Sequence, residues 1–230
     1  ALLSLGASPV MAHAVEEVEE MASIASALVL NIGTLSEKWI EAMFKAGKQA
    51  KEKGVPVILD PVGAGATTLR TETAKKIIDD VQPDIVRGNA SEILALLKAD
   101  AQTKGVDSSA SSDDALEIAK ELASTKNCIV SISGKTDYIT DGKSVISIGN
   151  GDAMLSKVTG TGCAATALTG AFAGVNKNFV EAATGAMVVM GIAGEMARKN
   201  ADAPGTFQVK FLDALYQISD EDIKTKARIA

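Results

Sequence analysis

Short apolar runs alternate with longer amphipathic segments over the first part of the chain. Four apolar runs of strand length predict buried strands at positions 26–31, 55–60, 84–89 and 128–133. The amphipathic segments between them predict helices at about 34–54, 71–81, 90–97 and 111–124. Thr34 and Glu37 are spaced as a capping box for the first helix, and Gly54 ends it. Repeated strand–helix–strand units are typical of a parallel sheet.

The period of the pattern changes after position 136. The segment "DYITDGKSVISIG" alternates apolar and polar residues around Asp141-Gly142, a dipeptide typical of hairpin turns. From Gly162 onward the pattern is almost entirely helical, with helices expected at 163–174, 178–199 and 207–218 and a short last one. The predicted fold class is α/β, with a largely parallel central sheet flanked by helices, a β-hairpin added at one edge and a helical C-terminal third.

No linker divides the chain, so we expect residues 1–230 to form one domain. The polar segment 100–114 is interpreted as a surface loop. The first residues lack a basic region, and no signal peptide is predicted. Because the chain starts at Ala1 rather than at a methionine, we expect its natural N-terminus to lie upstream.

Composition narrows the classes of partner. Only 3% of the residues are aromatic, and the net charge is −6. Such a chain offers neither a basic surface for phosphates nor stacking platforms, so a nucleic-acid partner is not expected. No run of about 18 apolar residues is present, so no membrane partner is expected either. Cys128 and Cys163 form no CxxC pair and no disulfide framework, which indicates a reducing, cytoplasmic location.

Polar residues and glycines follow each predicted strand. In an open parallel sheet the carboxyl ends of the strands meet at one edge, where ligands bind. The segments expected at this edge are rich in Gly, Asp, Asn and Arg: 31–34, 60–66, 87–89, 133–134 and the glycine turn 160–162. These residue types predict a site for phosphate and a metal ion.

The segment "KVTGTGCAATALTGAFAG" (157–174) places two glycines directly before a helix. Unpaired N–H groups at a helix N-terminus attract anions, so Gly160, Thr161 and Gly162 are candidates for an anion hole that binds a phosphoryl group. A tight helix entry with small residues for packing explains the pattern equally well. Gly160, Gly162 and Ala165 also match the dinucleotide fingerprint G-x-G-x-x-A, but the motif lies late in the chain rather than in the first strand–helix unit.

Three side chains at this edge have both a structural and a functional interpretation. Cys163 is either a small buried apolar residue or a thiol whose pKa is lowered by the helix N-terminus. Asp60 either forms an Asx turn before Pro61 or faces a bound metal ion. Glu92 is spaced to cap a helix together with Asn89, and it can also hold magnesium through water.

Arg87 interrupts a buried-strand pattern, and a buried arginine favours a phosphate or carboxylate partner. The segment 134–136 resembles the end of a P-loop, but Ile129 stands where that loop requires its first glycine. His13, the single histidine, is interpreted as a solvated residue at a helix start rather than a general base.

Taken in order, the motifs resemble the ribokinase-like fold and, within it, the hydroxyethylthiazole kinase family of thiamine biosynthesis. The similar segments are "GASPVMA", "LVLNIGTL", "ILDPVGAGAT", "RGNASEI", "VSISGKTDYITDG" and "KVTGTGCAATALTGAF". The resemblance extends from Gly6 to about Gly194. Most proteins of the wider fold carry aspartate after the glycine turn, and the cysteine at position 163 is a mark of the thiazole kinases.

The resemblance implies that ATP phosphorylates the primary hydroxyl of 4-methyl-5-(2-hydroxyethyl)thiazole. It implies that Met11 and Gly160 contact this substrate, and that Arg87 and Ser133 contact ATP. It further implies the following sites: Mg²⁺ at Asp60 and Glu92, and an anion hole from the N–H groups of Thr161, Gly162 and Cys163. Cys163 would be a weak base or a pocket residue. The family also implies a homotrimer with the thiazole pocket between subunits.

Other functions stay open at this point. The same fold contains hydroxymethylpyrimidine and pyridoxal kinases, and a nucleotide-hydrate dehydratase that would require aspartate at position 163. A nucleotide-binding regulator without catalytic activity is a further alternative, which the presence of Asp60, Arg87 and Glu92 disfavours.

Overall fold

The computed structural model describes residues 1–97 and 111–230. The strands are β1 (Leu28–Asn31), β2 (Val57–Asp60), β3 (Ile85–Asn89), β4 (Ile129–Ser133), β5 (Asp137–Thr140) and β6 (Val145–Ile148). The α-helices are α1 (Val18–Ile24), α2 (Glu37–Glu52), α3 (Thr68–Asp80), α4 (Ala90–Leu97), α5 (Ser112–Lys126), α6 (Thr161–Val175), α7 (Phe179–Arg198), α8 (Pro204–Gln217) and α9 (Asp220–Lys226). A short 3-10 helix, Ala153–Lys157, precedes the glycine turn.

The strands form one sheet whose spatial order follows the sequence, from β1 to β6. β1 to β4 are parallel, whereas β5 pairs antiparallel with β4 and β6 antiparallel with β5. The predicted α/β class and the β-hairpin at one edge are therefore confirmed. In the hairpin turn, Asp141 Oδ1 accepts the N–H of Lys143 at 2.9 Å and that of Ser144 at 2.7 Å.

Alternate residues of the strands are buried on opposite faces of the sheet. Leu59 and Val86 pack into the core formed with α1 to α5. Ile58 and Ile85 pack into the second core, formed with α6, α7 and α8. Each fully buried aliphatic side chain of this size contributes about 1.5–3 kcal/mol. Both faces are thus fixed by packing, which leaves the ends of the strands for ligands.

Helix α7 is long and apolar enough to cross a membrane by length and composition, although 67% of its apolar window is buried inside the protein. Met187 and Met190 lie in the second core. This degree of burial is typical of a core helix.

The start of α2 differs from the prediction. Ser36 caps the helix by accepting the Trp39 N–H at 3.4 Å, so the predicted capping box of Thr34 and Glu37 is wrong. Glu37 is the first helical residue and therefore cannot reach back from the third position. Gly54 ends the segment as predicted, at a φ of +69° that favours glycine.

Other differences lie near the N-terminus and at helix starts. Helix α1 was not predicted, and His13 lies before it, exposed and stacked on Trp39 with ring centroids 4.9 Å apart. His13 is therefore not a helix-start residue. Positions 100–110 of the predicted loop 100–114 lie outside the described residues. In its remaining part, Ser111 and Asp114 form a capping box for α5.

Candidate active site

The candidate active site lies where β2, β3 and β4 end against the first turn of α6. In the registered sheet, Asn31 is paired with Asp60 and Asn89 with Ser133, so these residues end neighbouring strands at one edge. The expected convergence of polar strand ends is therefore observed.

Asp60 is buried at this edge, with 2% of its surface exposed. Its Oδ2 atom accepts hydrogen bonds from Asn31 Nδ2 at 2.9 Å and from Thr166 Oγ1 at 2.8 Å. Burial raises the pKa of Asp60, and the Arg87 charge and these hydrogen bonds offset part of the rise. Both bonds come from other elements rather than from the turn before Pro61, so the carboxylate is held by long-range contacts.

Glu92 fulfils the predicted capping role. Glu92 Oε2 accepts the Asn89 N–H at 2.8 Å, and Asn89 Oδ1 accepts the Glu92 N–H at 3.0 Å. Glu92 Oε1 also accepts the Gly63 N–H at 2.9 Å, which ties the loop after β2 to α4. Burial raises the pKa of Glu92, while the two backbone N–H donors lower it. A Cβ at position 88 would lie 3.2 Å from Glu92 Oε2, so glycine there leaves room for the carboxylate.

Arg87 is a buried cation, 6% exposed, on the face of the sheet that packs against α6 and α7. Its Nη1 donates to the Gly162 carbonyl oxygen at 3.1 Å. Its Nε is buried and has no hydrogen-bond partner within the described ranges. The Arg87 charge lowers the pKa values of Asp60 and Asp137, so the guanidinium lies within electrostatic reach of both carboxylates.

The glycine turn before α6 presents a helix N-terminus to this cluster. Gly160 is the N-cap, with a φ of +90° that favours glycine. The Thr161 N–H points to the Val158 carbonyl oxygen at 3.5 Å, and the Thr161 hydroxyl donates to the Leu155 carbonyl oxygen at 2.8 Å. Among the described residues, the N–H groups of Gly162 and Cys163 have no such acceptor. The N–H groups open to an anion are therefore those of Gly162 and Cys163 rather than all three that were predicted.

Cys163 follows this turn and is exposed. Partial burial, followed by the negative charge of Asp60, raises the pKa of its thiol, and a hydrogen bond with Asn31 lowers it in part. Both sequence interpretations are corrected: the residue is not a buried apolar side chain, and its thiol pKa is raised rather than lowered. Burial is the largest cause of this rise, and a thiol whose pKa lies above its ordinary value is uncharged at neutral pH.

The end of β4 supplies two further polar groups. Ser133 Oγ donates to the Gly88 carbonyl oxygen at 3.5 Å. Asp137 is buried at the start of β5, where it accepts the Gly134 N–H at 2.9 Å. Burial raises the pKa of Asp137 to about 6. Asp137 therefore shapes the turn that follows Ser133.

Met11 is 93% exposed. No hydrogen bond or ring contact of the described residues joins it to the strand-end cluster. The structure thus brings together Asp60, Arg87, Glu92, Ser133 and the turn 160–163, but not Met11.

Sequence reasoning missed two side chains of the cluster, Asp137 and Thr166. Asn31 was expected at this edge as part of segment 31–34, but its hydrogen bond to Asp60 was not predicted. Thr166 lies one helical turn beyond Gly162, so a helix-face argument could have found it. For Asp137 the sequence offered only a polar residue at the start of a hairpin strand.

The fold is that of small-molecule kinases. Pyridoxal kinase from Staphylococcus aureus in complex with AMP-PCP superposes with a TM-score of 0.61 at 20% identity, covering 78% of this chain and 66% of that one. This likeness shows the fold alone.

Sequence similarity defines the family. The family model described as "Hydroxyethylthiazole kinase family" matches residues 1–221, and the chain belongs to that family. Its relatives include hydroxyethylthiazole kinase from Leptospira biflexa, 56% identical over 98% of this chain and 85% of that protein. The relative from Syntrophus aciditrophicus is 53% identical over 100% of this chain and 85% of that protein. The structure of hydroxyethylthiazole kinase from Pyrococcus horikoshii superposes with a TM-score of 0.91 at 43% identity, covering 99% of this chain and 85% of that one.

Proposed function

We propose that this chain is an ATP-dependent kinase that phosphorylates the primary hydroxyl of 4-methyl-5-(2-hydroxyethyl)thiazole. Membership of the family and the names of its relatives support the reaction. The location of the site is supported above all by the buried Arg87. It interacts electrostatically with Asp60 and Asp137 and lies beside the free N–H groups of Gly162 and Cys163. This arrangement is suited to a phosphoryl group, because its donors are fixed before the ligand arrives.

In the proposed reaction, the hydroxyl oxygen of the thiazole attacks the γ-phosphorus of ATP. The bond from that phosphorus to the β–γ bridging oxygen breaks, ADP leaves, and the hydroxyl proton is released. Catalysis of such a transfer rests mainly on positioning and charge neutralisation. Arg87 and Ser133 contact ATP, and the N–H groups of Gly162 and Cys163 receive the transferred phosphoryl oxygens. Thr161 holds the turn in place through its bonds to the 3-10 segment.

The donor set fits Mg²⁺. No group of three or more His, Cys, Asp or Glu side chains suitable for a metal occurs in the part of the chain that the structure describes. Two carboxylates, Asp60 and Glu92, do lie at the edge where phosphates are expected. Mg²⁺ commonly binds through one or two carboxylates, waters and substrate phosphates. Asp60 and Glu92 would hold it, and the ion would neutralise negative charge on the phosphates.

Cys163 and Gly160 lie on the acceptor side of the turn. Because the Cys163 thiol is uncharged at neutral pH, we assign it a pocket role beside the substrate hydroxyl rather than that of a strong base. Gly160 has open space where a Cβ would be, which leaves its backbone accessible to the thiazole.

We also propose a homotrimer, which the family resemblance implies, and the exposure of Met11 supports a thiazole pocket completed by a neighbouring subunit. A side chain that is 93% exposed has no pocket to line within its own chain. Val10 and Ile24 are also exposed apolar residues of the N-terminal region, at 67% and 74%. A neighbouring subunit would cover them and bring Met11 to the substrate. Light scattering tests this proposal: three chains of 23.7 kDa are expected in one particle, and a monomer that is active with thiazole would contradict it.

The reaction is tested by an assay that couples ADP release to absorbance. Purified protein is given Mg²⁺ and ATP with hydroxyethylthiazole, hydroxymethylpyrimidine or pyridoxal. Release with the thiazole alone is expected. ADP release with another alcohol would identify that alcohol as the substrate instead. Binding of ATP without ADP release with any of the three alcohols would support the non-catalytic alternative.

A further inference from the structure

Arg70, on the first turn of α3, donates hydrogen bonds to three backbone carbonyl oxygens. Its Nη1 bonds Ile32 O at 3.0 Å and Val62 O at 2.7 Å, and its Nη2 bonds Gly33 O at 2.9 Å. The acceptors belong to two different loops, one after β1 and one after β2. These loops flank the candidate metal ligands, so one guanidinium joins them.

Through the loop after β1, successive hydrogen bonds connect Arg70 to Asp60. The Ile32 carbonyl belongs to the same peptide group as the Gly33 N–H, and this N–H donates to Asn31 Oδ1 at 2.8 Å. Asn31 Nδ2 in turn donates to Asp60 Oδ2 at 2.9 Å. A continuous series of hydrogen bonds therefore runs from the guanidinium to the first carboxylate.

Through the loop after β2, a second set of hydrogen bonds connects Arg70 to Glu92. The Val62 carbonyl and the Gly63 N–H form one peptide group, and this N–H donates to Glu92 Oε1 at 2.9 Å. Nη1 of Arg70 therefore donates to two peptide groups, one of which leads by hydrogen bonds to Asp60 and the other to Glu92.

A cation bonded to a carbonyl oxygen polarises the peptide group and strengthens its N–H as a donor. Both peptide groups have glycine on the N–H side, and both positions require it. A Cβ at Gly33 would lie 2.8 Å from Asn31 Oδ1, and Gly63 has a φ of +74°. The two glycines allow the short contacts through which Arg70 acts.

We propose that Arg70 is a positioning residue that fixes Asp60 and Glu92 together through these two peptide groups. The proposal rests on the proposed function, in which the two carboxylates hold Mg²⁺. The side-chain hydrogen bonds of Arg70 all go to backbone carbonyl oxygens, so its proposed action is through the loops rather than on ATP or substrate. A purely structural brace would hold the loops without influencing the carboxylates.

The test compares wild-type protein with Arg70→Ala, Arg70→Lys and the control Arg228→Ala. Arg228 also donates to a backbone carbonyl, Gly149 O, and pairs with Glu195, so the control removes an equivalent arginine elsewhere. The Mg²⁺ concentration for half-maximal activity is expected to rise about 10–100-fold in Arg70→Ala, as for other residues that orient metal ligands. Arg70→Lys is expected to behave in the same way, because one ammonium cannot reproduce the planar fork. Added guanidinium ion is expected to restore Arg70→Ala but not Arg70→Lys.

Two measurements do not depend on turnover. In metal-free protein, NMR is expected to show upfield shifts of the Gly33 and Gly63 amide protons in Arg70→Ala and none in Arg228→Ala. Titration with Mn²⁺ and the analogue AMP-PCP, followed by electron paramagnetic resonance, is expected to show weaker Mn²⁺ binding by about the same factor.

Unchanged amide shifts and unchanged Mn²⁺ affinity in a folded Arg70→Ala would overturn the proposal. A fall in melting temperature without any change in metal dependence would also overturn it, because Arg70 would then be a brace only. If the wild type released no ADP with the thiazole, the proposed function would fail, and the amide shifts and Mn²⁺ titration would still decide the role of Arg70.

Discussion

The two ends of the parallel sheet differ in how their charged side chains are paired. At the amino ends of the strands, a depression of about 480 Å³ is lined by charged side chains that are paired with one another. Lys51 Nζ lies 2.7 Å from Asp84 Oδ1, and Lys126 Nζ lies 2.7 Å from Asp79 Oδ1. At the carboxyl ends, Asp60, Arg87 and Glu92 are buried, and their hydrogen bonds go to neutral groups.

This difference distinguishes structural charges from charges reserved for a ligand. Solvent-exposed ion pairs contribute about 0–1 kcal/mol and satisfy each other. A buried charge bonded only to neutral groups is expensive to maintain, and such groups cluster at functional sites. This contrast supports the proposal that the catalytic site lies at the carboxyl edge rather than in the depression at the amino ends.

The comparison is tested most strongly by Asp60→Asn against the matched variant Asp84→Asn. Asp60→Asn removes the buried charge and is expected to lower kcat/KM about 10²–10³-fold. Asp84→Asn should leave kcat/KM unchanged and lower the free energy of unfolding by less than about 1 kcal/mol. Steady-state kinetics and urea unfolding measure both. Equal kinetic effects of the two variants would remove the distinction between the two ends.

Glu92→Gln separates the two roles of that side chain. Glutamine can still accept a backbone N–H, so we expect a loss of helix-cap stability of about 1 kcal/mol or less. The Mg²⁺ concentration for half-maximal activity is expected to rise about 10-fold or more, because a charged ligand is lost. An unchanged Mg²⁺ dependence together with reduced stability would leave Glu92 as a helix cap only.

Asp137→Asn tests whether buried charge at the carboxyl end lowers stability. Burial raises the pKa of Asp137 from 3.8 to about 6, so the folded chain holds this proton more tightly than the unfolded chain. Its stabilising contribution is complete below about pH 4 and is lost as the pH rises through about 6. The asparagine variant should therefore gain about 1–3 kcal/mol over the wild type between these pH values and keep that gain at pH 7.

The control for this pH dependence is Asp141→Asn in the exposed hairpin turn. Backbone N–H donors lower the pKa of Asp141 to about 2, so its contribution is present above about pH 4 and lost as the pH falls through about 2. Urea unfolding at several pH values should give opposite signs for the two variants. A stability difference for Asp137→Asn that does not vary with pH would contradict the burial argument.

Among the variants of residues proposed to contact ATP, metal or substrate, Cys163→Ser is expected to have the smallest effect on activity. The thiol is uncharged at neutral pH, and a hydroxyl can replace its hydrogen bond with Asn31. We expect kcat to fall less than about 10-fold, with the same pH profile between pH 6 and pH 9. A loss of about 10² or more, with the basic limb of the profile abolished, would instead indicate a general base.

The sequence predicted those features whose determinants are local. Asn89 and Glu92 are three residues apart, so their reciprocal cap could be recognised from spacing. The hairpin followed from the change in period of the apolar pattern. The cap of α2 was misplaced because Thr34 and Ser36 are both good capping residues, and only the folded loop determines which one is used.

Long-range contacts in the site could not be predicted in this way. Thr166 reaches Asp60 across 106 residues, and Arg70 reaches Ile32 across 38. The raised pKa of Cys163 depends first on its burial and then on the approach of Asp60, and sequence spacing gives neither. The sequence therefore predicted which residue types lie at the carboxyl edge, whereas the structure was needed to show the hydrogen bonds between them.

The most direct test of the account is the affinity of Arg87→Met for ATP with Mg²⁺, measured by isothermal titration calorimetry beside the wild type. In the proposed site, this buried cation is free of carboxylate hydrogen bonds and is therefore available to bind phosphate. Loss of charge-assisted hydrogen bonds to a phosphate should raise the Kd at least about 10-fold. An unchanged Kd in a folded variant would mean that Arg87 serves only to hold the Gly162 carbonyl, and the central claim would be contradicted.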